Sequence, residues 1–585
     1  MRKRSVAFGP RDLEVAHRAD GTILVRSPHA LLPYPRTITD RLVHWAAAKP
    51  DAVFLAERGA RADWRTIGYA DTLDQVRRVA QGLIDRGCTA QRGVAILSEN
   101  GIDHGVLALA AQYAGIPYVP VAPPYSLMSN DFAKLGLVLA IFAPGLIFTA
   151  DESRYARALA SDAMPAGVPI VTDLAALRAR TPTAAVEAAN TAVTADTVAK
   201  ILFTSGSTGS PKGVINTQRM LCSNQQMNLQ AFPFFADEMV LVDWSPWNHT
   251  AGSNQMFNMV LYNGGTLYID EGKPVPGLFE RSVRNLRDVA PTIYFNVPRG
   301  FEMLAQACDA DAALRASFFR RLRMMWYAAA TLSAPVFEKM RDLAIRECGE
   351  EIVMTSGLGS TETAPSALFA NWHSDVSGNV GIPLPGLEMK LVPVNEKLEM
   401  RLRGPSITPG YLHRDDLTRD AFDEEGFYRM GDALLPLDPD DFSRGFLFNG
   451  RIGEDFKLAT GTWVNVGPLR NALLGRLQPL VSDLVLCGHD RDFVTMLMFA
   501  DPAELARFGP DAHGFIAASL AEFARENPGS SRHVVRAIFV DSPPSIDAGE
   551  ITDKRSLNNG IVRERRRPLI DRLYAGGDPD VIAID

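Results

Sequence analysis

The first part of the chain alternates between two periods of hydrophobic and polar residues. Apolar residues recur three and four positions apart in Asp40–Lys49, Thr72–Arg86 and His104–Ala114, which predicts three amphipathic helices. Short apolar runs at Gly93–Leu97 and Pro117–Val121 predict buried strands. This alternation of strand and helix predicts wound α/β units.

The same alternation continues further along the chain. Each new apolar run is short and follows a segment with helical spacing, which predicts further strands of mainly parallel sheets. These strands are predicted at Gly145–Thr149, Val168–Thr172, Met239–Val242, Gly265–Ile269 and Thr292–Phe295. We therefore expect a large region of stacked α/β units.

After Gly381 the pattern changes to short strands separated by turns. This part of the chain predicts a small β-rich subdomain. Its strands are predicted at Glu388–Val392, Lys397–Arg403, Gly410–Tyr411 and Gly426–Tyr428.

A charged turn at Gly450–Asp455 precedes a second region with its own strands, at Val481–Cys487, Val494–Phe499 and Val535–Phe539. The fold class predicted is α/β, with a large N-terminal domain over residues 1–450 and a hinge at 451–455. A small, mobile α+β C-terminal domain is predicted over 456–585. The basic run Arg563–Arg567 is interpreted as a solvated helix face.

Composition narrows the class of protein. The chain has 585 residues, 46% of them hydrophobic and 22% charged, which is typical of a globular protein with more than one domain. Its formal net charge of −8 argues against a general surface for nucleic acid or anionic membranes. We therefore predict small-molecule partners, with no nucleic acid and no membrane.

The cysteines and the start of the chain indicate the compartment. The basic start Met1–Arg4 is not followed by the apolar run of a signal peptide, and no apolar stretch is long enough to span a bilayer. No pair of cysteines has the spacing of a metal or redox site, and they lie far apart at Cys88, Cys222, Cys308, Cys348 and Cys487. A cytoplasmic protein with free thiols is predicted.

The sharpest local signal is the segment Ile201–Gly213. An apolar strand leads into glycines and small hydroxyl residues, and then to Lys212. Glycines let several backbone N–H groups surround one anion, hydroxyls add donors and the lysine adds a full charge. Pro211 and Gly213 flank Lys212, which excludes the P-loop of NTPases. The segment predicts a polyphosphate site; a flexible loop with an incidental lysine is the alternative.

This segment resembles the signature loop of the adenylate-forming superfamily, which includes acyl-CoA synthetases, luciferases and peptide-synthetase adenylation domains. The resemblance implies that the loop binds the β- and γ-phosphates of ATP. The residues implied are Thr204, Ser205, Gly206, Ser207, Thr208, Gly209 and Lys212.

A second segment, Gly357–Glu362, resembles the family's Tyr-Gly-x-Thr-Glu. The resemblance implies that Thr361 binds the α-phosphate and that Glu362, with Thr208, holds Mg²⁺, which prefers hard oxygen ligands. Leu358 replaces the expected Tyr, so aliphatic packing would replace stacking on adenine. Read alone, the glycine pair is a weak dinucleotide fingerprint without its third glycine. The nucleotide-binding residues implied here are Gly357, Leu358, Gly359 and Thr361.

Two further segments complete the implied nucleotide site. Gly426–Asp432 resembles the family's Tyr-x-Thr-Gly-Asp, which implies that Asp432 and Arg451 bind the ribose hydroxyls. An aspartate after a glycine is also common in ordinary turns. The segment 328–332 resembles the turn that borders adenine, although a packed alanine strand explains it equally well; the residues implied are Ala329, Ala330 and Thr331.

The segment Trp244–Thr250 carries the histidine that the family places beside the α-phosphate, and His249 is therefore a candidate catalytic residue, although an isolated histidine is more often structural. The same histidine would stand at the mouth of the acyl pocket. The acyl-pocket residues implied are His249, Ala251, Asn254, Ala330 and Gly359.

The family resemblance implies two half-reactions. A carboxylate attacks the α-phosphorus of ATP to give an acyl-adenylate, and the thiolate of coenzyme A then displaces AMP. The AMP-binding C-terminal domain is expected to rotate at Gly453 and Glu454 between the steps, bringing Lys457 and Gly461 to the CoA side.

The catalytic lysine departs from the family pattern. The family text Gly-Lys is Gly549-Glu550 here, and Glu550 cannot supply the positive charge that adenylation needs. Lys554 lies in the same predicted loop and is our candidate for that charge.

Within the superfamily the closest resemblance is to bacterial feruloyl-CoA synthases, which implies ATP, Mg²⁺ and CoA with hydroxycinnamates such as ferulate. After His249, however, Ala251–Met256 is smaller and more polar than that pattern expects, and it would line the acyl pocket. The segments that carry the resemblance are Trp244–Thr250, Tyr262–Asp270, Tyr294–Pro298, Asp455–Val464 and Gly549–Lys554.

The prediction is thus a cytoplasmic, aromatic acid–CoA ligase, as a monomer or homodimer. A fatty or other bulky acid and a carrier-protein acceptor remain alternatives. A non-catalytic sensor of AMP or acyl groups is the alternative of another class, motivated by Glu550 and Leu358.

Overall fold

The computed structural model describes residues 2–59, 61–205, 210–552 and 556–584, with the side chain of Ser205 left out. Its strands in chain order are β1 (Glu14–His17), β2 (Ile23–Arg26), β3 (Val53–Arg58), β4 (Trp64–Gly68), β5 (Val94–Ile96), β6 (Tyr118–Pro120), β7 (Leu146–Phe148), β8 (Ile170–Val171), β9 (Val198–Ser205), β10 (Pro211–Thr217), β11 (Val240–Asp243), β12 (Thr266–Ile269), β13 (Ile293–Asn296), β14 (Met324–Tyr327), β15 (Val353–Gly359), β16 (Ser366–Phe369), β17 (Asn379–Pro383), β18 (Glu388–Val394), β19 (Lys397–Arg403), β20 (Tyr428–Pro436), β21 (Phe446–Arg451), β22 (Phe456–Lys457), β23 (Trp463–Val464), β24 (Val481–Cys487), β25 (Val494–Ala500), β26 (Val534–Phe539) and β27 (Ile582–Ala583).

The α-helices of the same residues are α1 (Thr39–Ala48), α2 (Tyr69–Asp85), α3 (Ile102–Tyr113), α4 (Pro123–Leu127), α5 (Ala133–Phe142), α6 (Glu152–Leu159), α7 (Ala175–Arg178), α8 (Ala184–Ala192), α9 (Gln218–Ala231), α10 (Asn258–Asn263), α11 (Phe279–Asp288), α12 (Pro298–Ala310), α13 (Ala312–Arg320), α14 (Ala334–Cys348), α15 (Asp415–Asp420), α16 (Val466–Leu477), α17 (Pro502–Phe508), α18 (Asp511–Glu526), α19 (Asn559–Arg565) and α20 (Arg567–Ala575). None of the helices described has both the length and the apolar character to cross a bilayer.

Two smaller sheets of the N-terminal region are built mainly from parallel strands. One has the order β10-β9-β6-β5-β7-β8, in which the strands from β9 to β8 run parallel and β10 turns back antiparallel on β9. The other has the order β11-β12-β3-β4, and its edge strand β4 is antiparallel. The predicted winding of strands and helices is confirmed.

The predicted β-rich region does not form a sheet of its own. It belongs to an eleven-stranded sheet with the order β1-β2-β18-β19-β20-β21-β17-β16-β15-β14-β13. Strands β13 to β15 are parallel, and the sheet becomes antiparallel where β15 pairs with β16. The sequence pattern missed this continuity, because local periodicity does not report which strands pair.

A glycine is required at the junction between the two parts of this sheet. Gly381 on β17 has φ +81°, in the region that favours glycine. A Cβ atom there would lie 1.9 Å from the carbonyl carbon of Phe369. The predicted change of character at Gly381 thus coincides with a close approach of two backbones.

The C-terminal domain has a separate core. Strands β24, β25, β26 and β27 form a four-stranded sheet in that order, with β25 and β26 parallel. Helices α16 and α18 contribute buried leucines to a hydrophobic cluster drawn from Phe456 to Ile584. A large N-terminal and a small C-terminal domain are therefore present, as predicted; the hinge at 451–455 stays a prediction.

One predicted strand is absent at its predicted place. Gly410–Tyr411 forms only a single bridge, between Tyr411 and Val214 of β10. Two backbone bonds flank the bridge: Ile215 N–H donates to the Gly410 carbonyl and Leu412 N–H to the Gly213 carbonyl, at 3.1 and 2.8 Å. This short contact joins the segment after β19 to the phosphate-loop hairpin.

Candidate functional site

The segment with the strongest sequence signal is an antiparallel hairpin made by β9 and β10. Thr204 lies directly across from Lys212 in its register. The Thr204 hydroxyl is buried and has no hydrogen-bond partner among the described residues, as expected of a group that awaits a ligand. The predicted residues Gly206, Ser207, Thr208 and Gly209 and the side chain of Ser205 lie outside the described residues.

Lys212 meets Glu362, which belongs to the larger sheet. The Lys212 ammonium lies 3.4 Å from Glu362 Oε1. Glu362 lies in the short 3-10 turn Thr361–Thr363 between β15 and β16, and both Thr361 and Glu362 are buried. The Glu362 carbonyl accepts from Thr408 N–H at 2.8 Å. Two predicted phosphate and metal residues, 150 positions apart in the chain, are therefore in contact.

The Glu362 carboxylate has the chemistry that Mg²⁺ requires. A carboxylate is a hard, anionic oxygen ligand of the kind that Mg²⁺ prefers. Tyr411 and Lys212 both approach Oε1. This leaves Oε2 as the oxygen for a cation, and Glu362 therefore fits the predicted metal role.

Tyr411 is a site residue that the sequence analysis missed. It accepts from the Lys212 ammonium at 2.8 Å and donates to Glu362 Oε1 at 3.0 Å. Burial, followed by the charge of Glu362, raises the pKa of Tyr411. In the sequence, the dipeptide Gly410-Tyr411 was predicted only as a short strand, which gave no indication of a role for the Tyr411 hydroxyl.

The two residues predicted to bind the ribose also lie together. Asp432 on β20 lies opposite Arg451 on β21, and Arg451 Nε is 3.4 Å from Asp432 Oδ1. Burial raises the pKa of Asp432 to about 6, while Arg451 opposes that shift and Glu454 and Glu362 add to it. The Asp432 carboxylate can thus accept hydrogen bonds when it is ionised, and its pKa lies close to neutral pH.

The segments implied in adenine binding lie at the carboxyl end of the larger sheet's parallel strands. Ala329, Ala330 and Thr331 form an exposed loop directly after β14, and Ala329 adopts φ +75°. Leu358 on β15 is half-buried, and its side chain packs against the main hydrophobic cluster. The loop and Leu358 therefore lie on neighbouring strands, β14 and β15.

His249 lies in the turn between β11 and a π-helix at Ala251–Phe257 that continues into α10. It is half-buried, and its carbonyl accepts from both the N–H and the hydroxyl of Ser253 at 2.9 and 3.0 Å. π-Helical turns are uncommon and often occur at functional sites. The predicted acyl-pocket residue Ala251 begins this turn.

A buried polar network runs beside the π-helix. Asn254 donates to Asn216 on β10 at 2.7 Å and to the Thr250 hydroxyl at 3.1 Å. Gln225 of α9 donates to the Asn254 carbonyl at 2.7 Å. The side-chain oxygens of Gln225 and Asn254 have no donor among the described residues. The network ties the predicted acyl segment to the phosphate-loop hairpin.

Glu550, at the position of the family's lysine, has a structural role. Its carboxylate is buried and receives two bonds from the Arg566 guanidinium, at 2.7 and 2.9 Å. It also accepts from Ser545 N–H at 3.0 Å. The pair closes the base of the loop that leads to Lys554, which itself lies outside the described residues.

The same loop contacts the N-terminal domain. Asp547 accepts from the Ser129 hydroxyl at 2.6 Å and from Asn130 N–H at 3.1 Å. The Lys134 ammonium donates to the Ile546 carbonyl at 2.6 Å. These contacts hold the Ile546–Asp547 corner of the C-terminal domain against the start of α5.

The other C-terminal residues implied at the site lie on the hairpin of β22 and β23. Lys457 is exposed, and Gly461 stands in the turn with φ +88°. Asp455, just before the hairpin, forms a buried ion pair with Lys397 and accepts from Val466 N–H at 2.9 Å. Glu454 approaches Asn559 at 3.4 Å. Two residues within the predicted hinge, Glu454 and Asp455, therefore contact both domains.

The sequence is similar to those of known proteins over most of its length. A family model described as AMP-binding enzyme matches residues 42–412. The chain is 27% identical over 409 residues to a carboxylic acid reductase of Mycobacterium tuberculosis (strain ATCC 25618 / H37Rv), covering 65% of this chain and 33% of the reductase. It is 25% identical over 546 residues to the human long-chain-fatty-acid–CoA ligase ACSBG1, covering 82% of this chain and 73% of that protein.

A solved structure shows the same fold. It is the A domain of the carboxylic acid reductase from Segniliparus rugosus, in complex with AMP and a co-purified carboxylic acid, with a TM-score of 0.70 and 20% identity over 92% of this chain and 94% of that one. The chain spans about a third of the length of the reductases that it matches in sequence.

The titration of Asp432 predicts pH-dependent ATP binding. The predicted role of Asp432 is to accept hydrogen bonds from the ribose hydroxyls with its ionised carboxylate, which is present above its pKa of about 6. The ionised acceptor is lost as the pH falls through that value. We expect the ratio of wild-type to Asp432→Asn dissociation constants for ATP, measured by calorimetry, to rise about tenfold between about pH 7 and about pH 5. Taking the ratio cancels the titration of the nucleotide. A ratio that does not change with pH would contradict the assignment.

The Glu550–Arg566 pair predicts a large stability effect. Replacing Glu550 with Gln leaves a mostly buried guanidinium without its counter-charge, which costs about 3 kcal/mol in the free energy of unfolding. Urea denaturation followed by circular dichroism measures this loss. Glu522→Gln, at an exposed pair with Arg476, is the control and should change it by less than about 0.5 kcal/mol. Equal effects of the two changes would refute a structural role for Glu550.

Proposed function

Because the chain belongs to the family of AMP-binding enzymes, we propose that it is an acid–CoA ligase, which forms an acyl-adenylate from ATP and a carboxylic acid and then the acyl-CoA thioester. The observation that carries the proposal is that two charged pairs, Lys212–Glu362 and Asp432–Arg451, lie near enough that, besides burial, the charge of Glu362 raises the pKa of Asp432. A triphosphate and the ribose to which it is attached need such groups close together.

In the first half-reaction, the carboxylate of the acid attacks the α-phosphorus and pyrophosphate leaves. Both reactants are anions, so the site contributes mainly charge neutralisation and alignment. Lys212 and the backbone of the phosphate loop bind the β- and γ-phosphates, and His249 and Thr361 stand beside the α-phosphate. Glu362, with Thr208, would hold Mg²⁺, which would supply positive charge to neutralise the phosphates. No protein nucleophile is needed.

Lys554 is our candidate for the cation beside the forming bond. Glu550 is excluded from this role because its carboxylate is buried and paired with Arg566. The pair and the contacts of Asp547 hold the loop that leads to Lys554 against the N-terminal domain. These contacts support a role for the loop 545–558 in the first half-reaction.

In the second half-reaction, the thiolate of CoA attacks the adenylate carbonyl and AMP leaves. We propose that the C-terminal domain rotates near Gly453 and Glu454, and that Lys457 and Gly461 then approach the site. Beyond its chain neighbours, no atom of the described residues lies within 4 Å of the place that a Cβ on Gly453 would take, so its surroundings leave room for a backbone change. The exposure of Lys457 is consistent with a residue that acts after rotation.

An aromatic, hydroxycinnamate-like acid is the substrate we propose. Within the part of the chain that the structure describes, the buried network beside the π-helix leaves the amide oxygens of Gln225 and Asn254 without donors. A phenolic hydroxyl can donate to such an oxygen, and an alkyl chain cannot. The network therefore supports a hydroxylated aromatic acid, as feruloyl-CoA synthases use, over a simple fatty acid.

An acid panel tests this proposal. Ferulate, p-coumarate and caffeate should give acid-dependent pyrophosphate release and a CoA thioester, whereas dodecanoate should give at least about tenfold less through unsatisfied polar groups in the pocket. Pyrophosphate is measured by a coupled assay and the thioester by mass spectrometry. Faster turnover of dodecanoate would overturn the aromatic assignment. Pyrophosphate exchange with none of the acids would favour a non-catalytic sensor.

A carrier-protein acceptor is the second candidate function. It is favoured because the chain matches about a third of the reductases' length, so the relatives carry their matching region inside a larger chain. Replacing CoA in the same assay with a phosphopantetheinylated carrier protein distinguishes the two acceptors. Thioester formed only on the carrier would replace CoA in the proposal.

The contacts of Asp547 predict a selective effect on the first step. Asp547→Ala removes the acceptor of two bonds from the N-terminal domain and should slow acid-dependent pyrophosphate exchange about tenfold. Thioester formation from adenylate supplied directly should keep its rate. Asp580→Ala, at an exposed position of the same domain, is the control. Equal slowing of both half-reactions would argue against a step-specific docking contact.

A further inference from the structure

The hydroxyl of Tyr411 connects two charged groups of the nucleotide site. It lies 2.8 Å from the Lys212 ammonium and 3.0 Å from Glu362 Oε1. Lys212 also lies over the Tyr411 ring, 4.1 Å from its centre. The resemblance to the family assigned no role to this tyrosine.

The direction of each hydrogen bond follows from the chemistry of the three groups. An ammonium can only donate and a carboxylate can only accept, so the phenol accepts from Lys212 and donates to Glu362. The hydroxyl of Tyr428 lies 3.5 Å from that of Tyr411 and must then be the donor of the pair. The Tyr411 oxygen thus donates one hydrogen bond, to Glu362, and accepts two, from Lys212 and Tyr428.

The position of Tyr411 is fixed by its backbone. Tyr411 N–H donates to the Thr418 hydroxyl at 3.0 Å, and the bridge to Val214 ties the residue to β10, two residues beyond Lys212. The ring is buried, with about 5% of its surface exposed. The hydroxyl is therefore a rigid spacer between a half-exposed lysine and a buried carboxylate.

Without this spacer, the two charges would have a different arrangement. A flexible ammonium next to a carboxylate favours a charge-assisted hydrogen bond of about 2.7–2.9 Å, which would shorten the present 3.4 Å contact and withdraw Lys212 from the phosphates. With the phenol bonded to both groups, the ammonium stays 3.4 Å from Oε1, and the phenol donates to that oxygen. The lysine stays at the hairpin, and Oε2 remains for a cation.

We propose that Tyr411 is a positioning residue for the magnesium complex of ATP. Its hydroxyl holds Lys212 and Glu362 at the separation at which one group can bind the terminal phosphates and the other the cation of the same complex. This inference rests on the proposed function, since it concerns the same nucleotide site.

The test compares binding of two nucleotides to Tyr411→Phe, which keeps the ring and removes only the hydroxyl. We expect the dissociation constant for ATP with Mg²⁺ to rise about tenfold, as for the loss of a hydrogen bond to a charged group. The dissociation constant for AMP in EDTA should not change, because AMP has no terminal phosphates. Isothermal titration calorimetry measures both values without an acid substrate.

Two further variants show whether the hydroxyl acts through the lysine. In a Lys212→Met background, adding Tyr411→Phe should change ATP binding less than twofold, because residues that share one interaction are not additive. Tyr69→Phe removes another buried hydroxyl, which donates to the Gly265 carbonyl at 2.7 Å, and should change neither constant.

The outcomes separate the inference from the function on which it rests. A wild-type chain that binds no ATP with Mg²⁺ overturns the proposed function and this inference with it. Tight wild-type binding that Tyr411→Phe leaves unchanged overturns the inference alone. Equal weakening of ATP and AMP, or a full effect in the Lys212→Met background, shows a merely structural tyrosine and also overturns it.

Discussion

The candidate site depends on the ion pair between Lys212 and Glu362. Lys212 belongs to the hairpin at the edge of the six-stranded sheet, and Glu362 belongs to a turn of the eleven-stranded sheet. A buried carboxylate is costly without a partner, so Glu362 stabilises the fold only while Lys212 and Tyr411 stay within reach. The two sheets must therefore pack with the phosphate hairpin facing the Glu362 turn. That packing places a cation and an anion at the same opening.

The rest of the site follows from the continuity of the larger sheet. Its parallel strands end at the Ala329 loop and at Leu358, and its antiparallel strands carry Asp432 and Arg451. Adenine, ribose and phosphate groups would then contact successive parts of one sheet and its neighbouring hairpin. The C-terminal domain contacts the segment before α5 through Asp547, and Asp455 of the predicted hinge pairs with Lys397 on β19 of the larger sheet.

The sequence predicted those features that depend on local patterns. The strand at 481–487 is found at its predicted bounds, and Lys212 and Glu362 lie together as the resemblance implied. The pattern could not predict that β15 continues into the antiparallel strands, because pairing depends on distant residues. Gly410–Tyr411 was predicted as a short strand and forms a single bridge, to Val214. The Tyr411 hydroxyl contacts Lys212 and Glu362, which are far away in the chain.

Glu550 is a second case in which the local sequence pattern does not predict the role of a residue. The sequence indicated that this carboxylate cannot replace a catalytic lysine, but not what it does instead. Its partner, Arg566, belongs to the basic run that was interpreted as a solvated helix face. Arg566 stands between α19 and α20, where the helix is interrupted, and its side chain turns inward. Residues share one face of a helix only while the helix is continuous, so the prediction of a solvated face does not hold at the break at Arg566.

The central claim is that one nucleotide spans the site from Lys212 to Asp432. A crystal structure of the chain with Mg²⁺ and a non-hydrolysable ATP analogue tests it most directly. We predict terminal phosphates on Lys212, the cation on Glu362 and the ribose hydroxyls on Asp432. An analogue bound with its ribose away from Asp432, or with Lys212 still paired to Glu362 and free of phosphate, would contradict the account.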